Sequence, residues 1–183
     1  MAVTTKTQTP SLNNFETALT GGHPNSLGNT IVVVEEILQN PDRIEELYQC
    51  YFSKDEVVRL RVSSAFKRIA KEKPELVVPF LDSFISEISK INQASTQWTF
   101  AQLFLILKRF ISQKQLKQAI PILQKNLTTS NDWIVLNFTM EALDHYSKND
   151  QKLHSWLILH LERLSQDSRK SVAARATKYL KNI

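Results

Sequence analysis

Glycine is nearly missing from this sequence: Gly21, Gly22 and Gly28 are the only three, and residues 29–183 contain none. Loops that cradle phosphates need backbone positions that glycine alone occupies cheaply, so P-loop and dinucleotide-binding readings are excluded. No Asn-Gly or Asp-Gly pair is present either, which removes the strongest short signal for a strand hairpin. Cysteine is scarcer still. The single Cys50 rules out an internal disulfide and a multi-cysteine zinc site, and it fits a reducing compartment, so the expected location is cytoplasmic. Long apolar runs are absent: the densest patch, Leu103 to Leu107, is far short of the ~18 residues a membrane span requires. The opening MAVTTKTQTPSLNN has no apolar core of the kind a secretory leader needs, so neither a secretory nor a membrane address is expected.

What remains is a chain of 183 residues, enough for one continuous core burying roughly 70% of the unfolded surface. Charge is spread unevenly. Residues 1–57 hold three Lys and Arg against eight acids, leaving 20 Lys and Arg against 10 acids beyond them. Such asymmetry points to an anionic partner for the basic part, or to head-to-tail attraction between molecules.

From Thr30 onward the apolar spacing is helical. Asn40-Pro41 supplies a cap and a proline at the first helical position, and Pro74 plays the same role for the segment after it. Ser53 with Glu56, and Ser112 with Gln115, have the spacing of a capping box. These signals predict helices over residues 30–39, 42–53, 55–72, 75–91, 95–110, 113–128, 132–147, 151–165 and 169–182. Residues 1–28, mixing Thr, Ser, Asn, Pro and Gly, read as a flexible N-terminal extension, with a tail over the first ten residues and a turn or two of helix near FETALTGG.

The helices repeat. Stepping from Asp55 to Gln93, Asp132 and Arg169 gives intervals of 38, 39 and 37 residues. Eleven residues past each anchor stand Phe66, Phe104, Leu143 and Leu180, and fourteen past stand Ile69, Leu107, Tyr146 and Ile183. Three past stand Val58, Thr96, Val135 and Val172, with Thr96 the departure. Pro79 and Pro121 share a register in VVPFL and AIPIL, which suggests a tolerated kink or a late helix start belonging to the repeat.

DEVVRLRVSSAFKRI, with its Asp, its Val-Arg, its small pair and its later Ile, resembles the first helix of HEAT repeats, including short bacterial forms similar to phycobilin lyases, and ELVVPFL and QAIPIL resemble the second helix. The likeness covers about residues 30–183. It implies an all-α fold, an α-solenoid of about four stacked two-helix repeats in residues 29–183, and a structural role for the Asp and Arg of the motif. Leu136 and Gln97 stand where Arg59 stands in the first match, and Arg169 replaces the Asp in the last, so a regular ladder of Asp-Arg pairs is not expected. Asp55 and Arg59, four apart, can pair across one helical turn. Arg61 projects to another side, and spacing assigns it no role.

Candidate chemistry is thin. Glu141 and His145 share a helix face as two metal ligands would, but a zinc site needs three or four, so no metal and no cofactor are expected. Cys50 lies between Tyr48, Tyr51 and Phe52 with no basic neighbour to lower its pKa, and reads as a buried structural thiol. Asp132 beside Trp133, with Trp98 about one repeat earlier, resembles the HEAT-like glycosylases that repair alkylated DNA, in which an acid and aromatic rings serve a cationic base. The same Asp132 also stands where a helix cap belongs.

The resemblance implies a non-enzymatic scaffold with protein partners. Second-helix positions Asp82, Glu87, Lys117, Gln124, His160 and Arg163 are the candidate contact residues by register. The alternative is nucleic-acid binding, including a HEAT-like DNA glycosylase, at Trp98, Asp132, Trp133, Lys114 and Lys117. An end-to-end homodimer is a further expectation, from the small pair Ala173 and Ala174 on the last helix.

Overall fold

The computed structural model describes residues 12–23 and 26–181, whose regular elements are all helices, with no strand among them. The expected tail over residues 1–10 lies outside the described residues. No helix among those described is long and apolar enough to cross a membrane.

The chain divides into two compact units, residues 1–65 and 66–183. The first unit holds α1 (Phe15–Leu19), α2 (Thr30–Gln39), α3 (Ile44–Gln49) and the first part of α4 (Glu56–Glu72). Phe15 and Leu19 are wholly buried, so this stretch is tied to a core. The tie at the start of α1 is ionic: Glu46 accepts the Phe15 N–H at 2.9 Å, and Arg43 bridges Glu46 at 2.7 Å and the buried Glu36 at 2.9 Å. The Arg43 guanidinium also lies 4.1 Å over the Phe15 ring, a cation–π contact that holds the helix start in place. The expected helix over residues 42–53 is present as α3 with single 3-10 turns, Pro41–Arg43 and Cys50–Phe52, at its two ends.

The second unit continues with α5 (Pro74–Val77), α6 (Leu81–Ser86), α7 (Ala94–Ile106), α8 (Gln113–Thr129), α9 (Trp133–Ser147), α10 (Gln151–Ser165) and α11 (Lys170–Leu180). Helix α9 is central here, since α7, α8, α10 and α11 all pack on it, α10 and α11 also pack on each other, and α6 packs on α8. The apolar columns of the sequence are buried here: Phe104, Leu107 and Leu143 on the α7–α9 side are wholly buried, as are Phe66 and Ile69 on α4. Phe66 meets Phe84 edge-on at 5.4 Å, and Phe100 stacks on Phe104 at 4.5 Å. Thr96, the polar departure, is buried with its hydroxyl donating to the carbonyls of Gln93 and Ile91, so burial costs it no hydrogen bond.

The two prolines in one register behave differently. Pro79 sits in a 3-10 turn, Val78–Phe80, that splits the expected helix over residues 75–91 into α5 and α6. Pro121 lies inside an unbroken α8. Both are exposed, where water can take the carbonyl a proline leaves without its N–H. Pro79 follows the helix start at Pro74 by five residues, before an α-helical ladder is established, whereas Pro121 follows two turns already fixed by the Ser112–Gln115 capping box.

Candidate binding surfaces

Helix starts are built by one recurring device. At α4, Ser53 Oγ accepts the Asp55 N–H at 3.1 Å and Asp55 Oδ1 accepts the Val57 N–H at 2.8 Å. At α9, Ser130 Oγ accepts the Asp132 N–H at 3.2 Å, and Asp132 Oδ1 accepts those of Ile134 and Val135 at 2.8 and 2.9 Å. The expected capping box between Ser53 and Glu56 thus gives way to Asp55 as the capping group. Arg59 donates to the Ser53 carbonyl, and no ion pair joins it to Asp55. At α11 the device is shifted: Asp167, hydrogen-bonded by Arg169, is held at about 2, well below the usual carboxylate range, and Arg169 also donates to the Asn131 carbonyl before α9. The Arg169 departure therefore ties one helix start to the next. Asp132→Ala is expected to lower stability to urea by about 1 kcal/mol and Asp132→Asn by much less, because asparagine still caps. Wild-type stability in the alanine variant would mean the cap contributes nothing.

Arg61 is the largest fully buried side chain, at 2% exposure. Its Nη1 donates to the carbonyls of Leu19 and Gly21, each at 2.6 Å, and of Thr20 at 3.2 Å; Nη2 reaches the His23 carbonyl at 3.3 Å and Nε the Ser26 carbonyl at 3.2 Å. The guanidinium fork therefore collects the free carbonyls past the end of α1, where a cation also suits the helix dipole. Gly28, at φ +50, comes so close that a Cβ there would lie 2.8 Å from the guanidinium carbon. The open question about Arg61 has a structural answer. The signal in the sequence was the glycine set itself, since Gly21, Gly22 and Gly28 all take positive φ around this side chain.

An open groove of about 460 Å³ lies in the first unit, lined by Glu16, Thr20, Gln49, Phe52 and the Ser53–Asp55 turn. Phe52 is half-exposed, with Tyr48 against it edge-on at 5.7 Å. Nearby Cys50 is buried, with its thiol donating to the Glu46 carbonyl at 3.3 Å. Burial, then the carboxylates of Glu16 and Glu46, pushes that thiol up to about 12, which leaves it unreactive at neutral pH.

The six register candidates do not form one cluster. Asp82 accepts from Gln115 Nε2 at 2.9 Å, at the start of α8, whereas Arg163 reaches the Leu127 carbonyl at 3.4 Å, near its end. Lys117 is exposed, Gln124 half-exposed, and Glu87 exposed just past α6. His160 lies 4.0 Å from the Trp156 ring centroid, and burial, then Arg163, lowers its pKa, so the ring is neutral at pH 7. No hydrogen bond or ion pair joins Asp82, Lys117, Gln124, His160 and Arg163 to one another among the described residues.

Of the alternative set, Trp98 is half-buried on α7, Lys114 and Lys117 are exposed on α8, and Trp133 is 50% exposed at the start of α9. Asp132 gives one carboxylate oxygen to its cap. Glu141 pairs with Arg175 at 3.2 Å, and His145 is pulled below its ordinary pKa by burial, then by Lys108 and Lys148. No group of three or more His, Cys, Asp or Glu side chains among the described residues could hold a metal ion.

The sequence reading missed a run of exposed groups at the ends of the first helices. Lys108 and Arg109 are exposed in the turn after α7, Phe110 beside them is 49% exposed, and Lys148 follows α9. The ends of α7 and α9 adjoin, since the Tyr146 hydroxyl donates to the Phe104 carbonyl and His145 senses both Lys108 and Lys148. The chain matches no known family model, and no curated protein is similar to it.

Proposed function

We propose that residues 29–183 form a HEAT-like α-solenoid of about four two-helix repeats, acting as a non-enzymatic scaffold for protein–protein interaction. The observation that carries this reading is the agreement of sequence register with contact. The residues eleven past the first three anchors, Phe66, Phe104 and Leu143, are wholly buried, and of the helices bearing them α7 packs on α9, which α8 and α10 also meet. A two-helix unit cannot bury its apolar face alone, so stacking creates both the core and an extended outer surface. The exposed second-helix residues Asp82, Lys117 and Arg163 belong to that surface. Quantitative affinity capture tests it. The double variant Asp82→Lys with Lys117→Glu is expected to lose specific partners that the wild-type chain enriches, with its far-ultraviolet circular dichroism unchanged. An identical partner set in that variant and in Arg163→Glu would remove these helices from the interaction.

A second reading, nucleic-acid binding, is favoured by where the charge goes. Residues 66–183 carry 18 Lys and Arg against 10 acids. Several of those acids are already engaged: Asp132 and Asp150 cap helices, and Glu141, Asp144 and Asp167 form ion pairs. Lys67, Arg68, Lys71, Lys108, Arg109, Lys114 and Lys117 have no ion-pair partner among the described residues. The excess of positive charge therefore sits on cations with no acidic partner, which is what a phosphate backbone requires.

A further inference from the structure

We propose that the turn after α7, Lys108-Arg109-Phe110, is the centre of a single-strand nucleic-acid site, with Phe110 stacking on a base and the flanking cations Lys71 and Lys148 extending the phosphate track. This rests on the second reading above and locates it away from Trp98, Asp132, Trp133, Lys114 and Lys117.

Three observations converge on this turn. First, Lys71, Arg109 and Lys148 each stand sixteen residues past their repeat anchors Asp55, Gln93 and Asp132, so cations recur in one register column as the apolar residues do in theirs. Second, the ends of α7 and α9 are neighbours, since the Tyr146 hydroxyl donates to the Phe104 carbonyl, and Lys108 and Lys148 both lower the pKa of His145. Third, the Phe110 ring is half-exposed and meets no other aromatic ring among the described residues.

Cations at helix ends also complement the dipole, but that accounts only for charge within the last turn. Arg109 lies three residues past the end of α7, and an exposed phenylalanine next to it does nothing for a dipole. A ring set beside the unpaired Lys108 and Arg109 is the pairing that single strands use, stacking for the base and charge for the backbone. Lys67, Arg68 and Lys71 add to the same chemistry: Lys67 is half-buried with no carboxylate paired to it, and burial, then the charges of Lys71 and Arg68, lower its pKa. A bound phosphate would relieve that repulsion. Asp144 is paired with Lys148 at 3.7 Å, the exposed Asp150 follows Lys148 by two residues, and the exposed Glu72 and Glu75 follow Lys71 in sequence. An acidic protein surface would match the cations but has no use for the exposed ring.

The test is fluorescence anisotropy of a labelled fifteen-nucleotide uridine strand with the full chain, titrated through salt. Wild-type binding is expected to weaken with a log–log slope of about −0.7 per phosphate contacted. Arg109→Glu should weaken binding about tenfold and flatten that slope, while Phe110→Ala should weaken it at least fivefold and leave the slope unchanged. Both residues are exposed, and circular dichroism checks that each variant folds. Loss of binding in Lys114→Glu with Lys117→Glu, while Arg109→Glu and Phe110→Ala bind as wild type, would overturn this site and leave the nucleic-acid reading standing. No binding at 50 mM salt would overturn both. Equal competition by polyglutamate, with Phe110→Ala unaffected, would identify the edge as a surface for acidic proteins and overturn the proposal.

Discussion

Replacing Arg61 with methionine is expected to lower stability to urea by about 3 kcal/mol and to open the Leu19–Gly22 segment to proteases. The guanidinium is buried with only backbone carbonyls as partners, of Leu19, Thr20, Gly21, His23 and Ser26. Each hydrogen bond from a charged donor contributes about 1.5–3 kcal/mol, and desolvating the charge offsets much of the sum. Methionine matches part of the volume and removes every donor, so the carbonyls past α1 must be rehydrated or stay unpaired. Lysine keeps the charge but not the planar fork, and should recover less than half of the loss. Gly28→Ala probes the same cradle from the other side: positive φ and a Cβ at 2.8 Å from a side chain pinned at its far end should cost about 2 kcal/mol. Because methionine removes the obstructing guanidinium, the double variant should lose less than the two single losses added. A methionine variant as stable as wild type would show that the buried charge costs as much as its bonds return.

This cradle also marks where a sequence stops being legible. The helices could be read because their signals are side chains at fixed spacing. Ser112 and Gln115 form the reciprocal cap their spacing predicts, and Asp132 caps α9 from the position where the repeat places it. Arg61 and Arg59 bond to backbone carbonyls, which every residue possesses and which carry no identity, so their partners leave no trace in residue type. The breaks at Val78–Phe80 and Cys50–Phe52 were hidden for a related reason, since a 3-10 turn shifts a hydrogen bond by one residue while leaving the apolar spacing nearly intact. Of the candidate site, individual exposure was legible and convergence was not. Asp82 and Arg163 are both second-helix positions, yet they meet opposite ends of α8, because belonging to a second helix fixes neither the turn a side chain stands on nor what it reaches. The cationic column of Lys71, Arg109 and Lys148 is as regular in sequence as the apolar ones, but only exposure separates it from ordinary helix-end charge.

Phe104→Ala is expected to cost about 4 kcal/mol, the loss expected from truncating a wholly buried aromatic ring. Phe104 is wholly buried, stacks on Phe100 at 4.5 Å, and lies on α7, the helix packed most extensively against α9. Leu143, in the same column on α9, is also wholly buried, and Leu143→Ala should cost about 3 kcal/mol; Leu180, half-exposed at the end of α11, should cost about 1 kcal/mol. The decisive quantity is the coupling between the first two. In the proposed stack, Phe104 and Leu143 fill one continuous interface, so the double variant creates one merged cavity and the losses should depart from additivity by at least about 0.5 kcal/mol. Two amphipathic helices sharing a period without sharing a core would give strict additivity. That result would reduce the 38- and 39-residue spacing of the anchors to a coincidence of helix and loop lengths, and would remove the basis for a repeat.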